Sequence, residues 1–433
     1  MQLAIIGGGP AGLSAAIRAR EEGLTDVWVI ERGTSLGGIL NQCIHHGFGV
    51  HIFKEELTGP EYAQRLIDKA RELGVNFAMG AMVIDIAKDR TLTYASPTGL
   101  VAAQADAIIL AMGCRERSRG ALGIPGSRVA GIYAAGVAQE LVNMKGYTIG
   151  KQAVILGSGD IGLIMARRLT LEGAKVVGVY EIMPHSGGLK RNIAQCLNDY
   201  DIPLFLSHTV TRTVGKKRLE GVYVAKVDEN WQPIAETEHF VPCDTLLLSV
   251  GLIPENELSK KIGVELSPIT GGAFVNNRLE TSVPGVFACG NVLHVHDLVD
   301  YVTLEAYEAA ESAARFVRTG QSATSQIIPV IAHEGVRYTV PTSIVMTMGQ
   351  GDGSSVQDIT HDSYTKPGHK NRPLVPYTVS FRSDKVYTPG TIKVLADGQV
   401  IKTAKKRIII PSEMERIKFE LKEPAKEIAI RVE

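Results

Sequence analysis

Three groups of residues in this chain have types and spacings that suggest chemistry. The first is a pair of glycine turns. "LAIIGGGPAGL" sets Gly7, Gly9 and Gly12 between an apolar run and a helix-like run, and "AVILGSGDIGL" does the same with Gly157, Gly159 and Gly162. The second is "NQCIHHG", where Cys43, His45 and His46 put a thiol beside two imidazoles. The third is "HVHD", with His294, His296 and Asp297.

The glycine turns need elements to position them. "LAII" reads as a buried parallel strand. Gly7 permits the tight turn out of it, Gly9 lets the backbone approach a pyrophosphate, Pro10 and Ala11 open a helix, and Gly12 lets that helix pack on the strand. The helix N-terminus presents N–H groups and a positive dipole end to phosphate charge. The next strand, "DVWVI", leads to Glu31, 19 residues after Gly12, close to the roughly 20 expected for an acid that reads ribose hydroxyls. In the second copy Asp160 and Ile161 stand between Gly159 and Gly162, and "KVVGVY" ends at Glu181, again 19 residues on. The repeat continues. "ADAIILAMG" carries Ala111 and Gly113, "CDTLLLSVG" carries Gly251, and in each the Asp lies 7 residues before the final Gly. Two dinucleotide-binding modules are expected, in an α/β fold.

Composition narrows the setting. The 433 residues suit more than one domain. Lys plus Arg equals Asp plus Glu at 46 each, so no net field attracts nucleic acid or an anionic membrane. No apolar run approaches the roughly 20 residues of a membrane span, and the first residues do not read as a signal peptide. The five cysteines, at 43, 114, 196, 243 and 289, include no close pair. That pattern fits a reducing cytosol, so a cytoplasmic protein is expected.

The paired turns, the "LGGIL" loop after Glu31, the helix-like "LTGPEYAQRLIDKARELGV" and the "ETSVPGVFACGN" motif together resemble the two-dinucleotide-fold reductases of the pyridine nucleotide–disulfide oxidoreductase superfamily, over roughly residues 1–320. The resemblance implies FAD in the first module and NAD(P)H in the second, which is inserted into the first. It implies FAD contacts at Gly7, Gly9, Pro10, Ala11, Gly12, Glu31, Arg32, Gly38, Ile39, Ala111, Gly113, Gly290, Asn291, Val302 and Thr303. It implies NAD contacts at Gly157, Gly159, Asp160, Ile161, Gly162, Glu181 and Gly251. Val302 and Thr303 open a helix whose positive end is expected at the flavin pyrimidine. The family's Gly-Asp is Gly290-Asn291 here; Asn still donates and accepts hydrogen bonds.

The redox dithiol of that group is missing. The first possible place has only Cys43, and the second reads Ala134-Ala135-Gly136-Val137. Among branches without the dithiol, "GCRERSRGALGIPG" and "GVAQELVNMKG" resemble FAD/NAD subunits of bacterial multi-subunit dehydrogenases, including the one paired with a glycerol-3-phosphate dehydrogenase-like flavoprotein. That implies a partner dehydrogenase or electron-transfer subunit, with homo-oligomerisation left open.

Glu181 favours NAD, because a carboxylate accepts from ribose hydroxyls and repels a 2′-phosphate; Lys190 and Arg191 are read as solvated helix residues. Cys43, His45 and His46 are either a lone thiol with an acid–base partner or a polar loop lining the flavin cleft. His294 and His296 can share a face, but no third ligand is obvious and no metal is expected; a flavin-side or partner-side role is the favoured reading, because the segment directly follows the "ETSVPGVFACGN" motif. Arginines beside Cys114 would lower its pKa, although packing is the favoured reading there. Cys196, Cys243 and Cys289 read as core.

The tail changes character. "YTVSFRS", "TIKVLADGQVIKTAKKRIIIP" and "KEIAIRVE" alternate apolar and polar residues, implying a small antiparallel β domain with "KTAKKR" as a solvated edge and loops at "GQGDGSS" and "TKPGHKNRPLVP". It is expected to bind a partner or brace the flavin domains. The expected domains are 1–117 with 247–322 for FAD, 118–246 for NAD(P), and a β-sandwich-like 330–433. The expected activity is FAD-dependent NAD(P)H oxidoreduction without a dithiol relay. The rivals are a disulfide reductase, a non-catalytic FAD-binding scaffold subunit of a dehydrogenase complex, and a flavin amine or hydroxy-acid dehydrogenase.

Overall fold

Short apolar runs build the framework. The computed structural model describes residues 1–322, 326–346, 376–421 and 423–433; "GQGDGSS" and nearly all of "TKPGHKNRPLVP" lie outside them. β1 (Leu3–Ile6) leads through α1 (Pro10–Glu21), β2 (Val27–Glu31), α2 (Gly59–Glu72) and β3 (Asn76–Met79) to β4 (Ala107–Leu110). The chain then forms β5 (Ile132–Ala134), α3 (Ala135–Asn143), β6 (Gln152–Leu156), α4 (Asp160–Leu171), β7 (Lys175–Glu181), β8 (Leu204–Leu206) and β9 (Thr245–Leu248). It returns as β10 (Val286–Ala288) and α5 (Val299–Thr319).

Two five-stranded sheets result, ordered β10–β4–β1–β2–β3 and β5–β9–β6–β7–β8, with every pairing parallel. The second sheet thus lies within the sequence span of the first, and β9 closes it two residues past 246. Each order puts the strand before a glycine turn at the centre. β1, β4 and β9 are buried along their whole length, as strands covered on both faces must be. Antiparallel excursions at 82–104 and 208–242 leave each sheet. Strands Cys114–Glu116 and Leu252–Pro254 pair where the chain passes between the halves.

α1 and α5 pack together through alanines. Ala15, Ala16 and Ala19 on α1, and Ala306, Ala309, Ala310, Ala313 and Ala314 on α5, are all fully buried. Small side chains let the helices approach closely, which fixes the start of α5 beside the first glycine turn.

The tail forms β11 (Gln326–Ala332), β12 (Val336–Val340), β13 (Ser343–Met346), β14 (Tyr377–Ser383), β15 (Gly390–Ala396), β16 (Gln399–Lys406), β17 (Glu415–Phe419) and β18 (Ile428–Val432). One sheet is β13–β11–β18–β15–β16 and the other β12–β14–β17. A single hydrophobic cluster, including Ile328, Ile392 and Ile430 from one sheet and Val379, Phe381 and Phe419 from the other, lies between them. β16, which contains "KTAKK", is an edge strand as expected. The expectation of a purely antiparallel domain needs correction, because β11 and β18 pair in parallel. Distant segments decide that pairing, so the alternation within each strand does not report it.

Candidate functional site

The first cradle is built at the end of β1. Gly7 has φ +109°, and a Cβ there would lie 2.4 Å from the Ala111 carbonyl oxygen. A Cβ on Gly12 would lie 1.8 Å from the Gly7 carbonyl oxygen, so only glycine lets α1 sit this close. Gly9 is the N-cap of α1 and no side chain caps the helix. Its first-turn N–H groups are left for a ligand. The Glu31 carboxylate accepts from Gly8 N–H at 2.6 Å through one oxygen and from Gly33 N–H at 2.6 Å through the other. Arg32, Gly38 and Ile39 form the exposed rim.

The second cradle repeats this plan at an interval of 150 residues. Gly157 has φ +94°, and a Cβ there would lie 2.1 Å from the Ser249 carbonyl oxygen. Gly162 packs against Ser249 and the Gly157 carbonyl. Gly159 caps α4 without a side chain, and Ile161 is half-buried in that helix's first turn. Glu181 is buried and accepts from Ser158 N–H at 2.8 Å, Ser158 Oγ at 2.7 Å and Met183 N–H at 2.9 Å. Sequence reasoning found Gly38 in the "LGGIL" loop but missed its counterpart: Gly37-Gly38 and Gly187-Gly188 also lie 150 apart and form a lip over each turn. Gly37 N–H donates to the Gly8 carbonyl at 2.8 Å, and Gly187 N–H donates to Ser158 Oγ at 2.9 Å. The second lip is further tied by Asp160, which accepts from Leu189 N–H at 2.8 Å and Asn192 Nδ2 at 2.6 Å. Burial raises the Asp160 pKa. Gly113 at φ +71° and Gly251 at φ +100° occupy matching left-handed turns after β4 and β9.

The two halves meet at the Cys43 loop. Gln42 Nε2 donates to the Gly136 carbonyl at 2.8 Å, and Asn143 Nδ2 donates to the Gln42 carbonyl at 2.8 Å. The start of α3, where a Cys-x-x-Cys would stand, is therefore docked on this loop. Glu116 accepts from Gly136 N–H at 2.7 Å and occupies the helix end. All five cysteines are free thiols. Cys43 is buried, which pushes its thiol up to about 12. Burial, then the charges of Arg191 and Arg167, lower the His45 pKa to about 4. His46 is exposed. Arg191 is exposed as expected, yet its guanidinium lies against the loop: a Cβ on Gly47 would come 3.0 Å from its Nη2.

The return segment packs under α5. Gly290 has φ +75°, and a Cβ there would lie 2.8 Å from Ala11 Cβ. Asn291 Oδ1 accepts from His296 N–H at 3.0 Å, and its Nδ2 lies 3.7 Å from Cys114 Sγ. Thr303 turns its hydroxyl inward to Tyr62 at 2.7 Å and Ser14 at 3.1 Å, and Val302 is buried beside it. The expected positive helix end carries Asp300 in its first turn, where one carboxylate oxygen accepts from His51 N–H at 3.1 Å. The expectation for Cys114 is corrected in direction: burial raises its pKa to about 11, while Arg115 turns away to pair with Glu255. Cys196, Cys243 and Cys289 are core residues as expected.

"HVHD" divides its work. Asp297 pairs with Arg382 of β14 and accepts from Met414 N–H at 2.6 Å, which fastens the tail to this segment. His294 and His296 face Glu305 of α5, with Nε2 atoms 2.7 and 3.3 Å from Glu305 Oε2. Burial lowers the His294 pKa, and the two histidines hold Glu305 well below the usual carboxylate range against its burial. The third potential ligand was invisible in the linear motif, because the helix brings Glu305 back over it.

Comparisons with known proteins agree with this geometry. Residues 1–315 match the family model for pyridine nucleotide-disulphide oxidoreductases. The chain is 28% identical to hydrogen cyanide synthase subunit HcnB of Pseudomonas protegens over 66% of this chain and 65% of that one. It is 26% identical to the glutamate synthase [NADPH] small chain of Mycobacterium tuberculosis over 76% of this chain and 70% of that one. The chain thus spans about two thirds of the length of these curated relatives. The thioredoxin reductase of T. acidophilum superposes with a TM-score of 0.60 at 24% identity, covering 73% of this chain and 99% of that one. No helix among the described residues is long and apolar enough to cross a membrane. With both cradles inside the matched span, the chain belongs to the pyridine nucleotide-disulphide oxidoreductase family and is an oxidoreductase.

Proposed function

We propose that this protein moves a hydride between a nicotinamide dinucleotide and FAD, and exchanges electrons with a partner subunit or small acceptor without a dithiol relay. The observation that carries this reading is the pair of cradles, each with a glycine N-cap that has no capping side chain and a carboxylate gripping the glycine turn. FAD fits the first. Around Gly9 the nearest atom to an added Cβ is 4.0 Å away, which leaves the approach open. The groups that would hold it are Gly7 to Gly12, Glu31, the Gly37-Gly38 lip and the Gly290-Asn291 turn. When bound, the isoalloxazine supplies a centre that takes two electrons and releases them singly or together.

The chain's own residues position and exclude. The proposed parts are residues 1–117 with 247–322 for FAD, 118–246 for the nicotinamide nucleotide, and 330–433 as the brace or partner-binding part. Glu181 supports NAD over NADP, since a 2′-phosphate would meet its buried carboxylate, while Arg191 lies against the Gly47 loop. The free thiols and the Ala134–Val137 stretch favour direct transfer over a disulfide relay. Cys43, with its thiol protonated at neutral pH, fits the lining of the cleft better than a nucleophile. The names of two relatives, a synthase subunit and a small chain, support a partner subunit. Mixing the purified protein with NADH, and separately with NADPH, in the absence of oxygen tests the reading. Faster bleaching of the flavin absorbance by NADH supports it; no bleaching by either nucleotide overturns it in favour of a scaffold.

A further inference from the structure

We propose that His294, His296 and Glu305 form a buried divalent-metal site, zinc by its ligand chemistry, that locks the Gly290-Asn291 turn to α5. The donor atoms of these three residues all lie within 4.8 Å of one another. Tautomer geometry aims them inward. His296 Nδ1 lies 3.0 Å from the His294 carbonyl oxygen. A carbonyl only accepts, so Nδ1 carries the hydrogen, and Nε2 is the ring nitrogen turned to Glu305 Oε2. His294 Nε2 faces the same oxygen, while its Nδ1 is buried with no hydrogen-bond partner. One carboxylate oxygen thus meets two imidazole nitrogens in a buried space, and a cation between them would satisfy all three.

The distances suit this. Bonds of about 2.0–2.2 Å in a tetrahedral site place ligand atoms roughly 3.3–3.5 Å apart. The His296–Glu305 separation of 3.3 Å already matches, and the His294–Glu305 separation of 2.7 Å needs to open by about 0.6 Å. Two of the three ligands already have outer partners. The His294 carbonyl orients His296, and Gly290 N–H donates to Glu305 Oε1 at 2.7 Å, as supporting contacts do around metal ligands. A small cavity lined by His296, Glu305, Tyr301 and Arg416 adjoins the trio, and a water there would supply the fourth ligand. Two imidazoles and one carboxylate suit zinc better than calcium or magnesium, which prefer all-oxygen sites. Nothing in this depends on what the first cradle holds.

The test uses the full-length, tag-free protein, stripped with a chelator and dialysed against zinc. About one zinc per chain is expected, with two imidazoles in its coordination shell by zinc-edge X-ray absorption. His296→Gln and His294→Gln should each weaken zinc binding beyond the roughly 10–100-fold cost of losing an outer partner, with the far-ultraviolet circular dichroism unchanged. A shell without imidazole in the unaltered protein, or binding below one zinc per several chains, overturns the proposal. So does zinc binding of unaltered strength in a folded His296→Gln variant.

Discussion

Replacing Gly157 by alanine separates the two cradles. The new Cβ would lie 2.1 Å from the Ser249 carbonyl oxygen at a φ of +94°. An L-residue held in that left-handed region costs about 1–2 kcal/mol, and an overpacked contact costs about 1–3 kcal/mol. The turn therefore either carries roughly 2–5 kcal/mol of strain or retreats from Ser249 by about 1 Å. A displacement of that size at a nucleotide turn lowers transfer about 100-fold. Gly7→Ala makes the matching change in the other cradle, with its Cβ 2.4 Å from the Ala111 carbonyl oxygen at φ +109°. Flavin content by absorbance and the anaerobic rate of bleaching by NADH read the two effects separately. Gly157→Ala is expected to keep its flavin and to bleach about 100-fold more slowly, whereas Gly7→Ala is expected to lose flavin. A Gly157→Ala protein that bleaches at the unaltered rate, or loses its flavin while Gly7→Ala retains it, would refute the assignment of the cradles.

Other consequences follow from individual contacts. Asp297→Ala takes the carboxylate from Arg382, whose side chain is 14% exposed and whose guanidinium keeps its bonds to the Ser412 and Val295 carbonyls, and should destabilise the fold by about 1–3 kcal/mol; a thermal midpoint within error of the unaltered protein would count against the tail being fastened there. The folded-state pKa of His45 lies below its ordinary value, so the folded state binds fewer protons than the unfolded one. Stability should therefore fall as pH drops from 6.5 towards about 4. Arg191→Ala should raise the His45 pKa in an NMR titration, and an unmoved resonance would contradict the contact between halves. The Cys43 thiol, raised from 9.0 to about 12, should resist alkylation at pH 8 in the folded protein and react once unfolded; rapid modification of folded protein would reinstate it as a reactive thiol. Because the folded state keeps that proton longer, this residue's contribution to stability should decline as pH climbs above 9, a trend that Cys43→Ala should lessen.

The parts of the site that the sequence makes legible are those fixed by local backbone constraint. Gly7 and Gly157 must be glycine because φ is positive and a carbonyl stands where a Cβ would go, and Glu31 and Glu181 follow at a spacing set by one helix and one strand. Side chains whose partners come from far along the chain are not legible. Thr303, at the start of α5, turns its hydroxyl towards Ser14 and Tyr62, which no spacing within α5 reveals. Asp300 adds a carboxylate to a helix end that its dipole alone would make positive. Cys114 looks activated beside Arg115, but the two side chains point apart on an extended segment and burial decides the direction. Glu305 joins His294 and His296 only because the chain reverses between the turn and the helix. The parallel pairing of β11 with β18 has the same origin, since strand alternation is blind to which neighbour the topology supplies.

The central claim is that a nicotinamide nucleotide in one cradle exchanges electrons with a flavin in the other. Anaerobic titration of the flavin-loaded protein with NADH tests it most directly. The account predicts full bleaching near one equivalent of NADH per bound flavin, set by the two-electron stoichiometry. Protein that carries no FAD when purified and takes none up, or bound FAD that stays oxidised in excess NADH and NADPH, would contradict it.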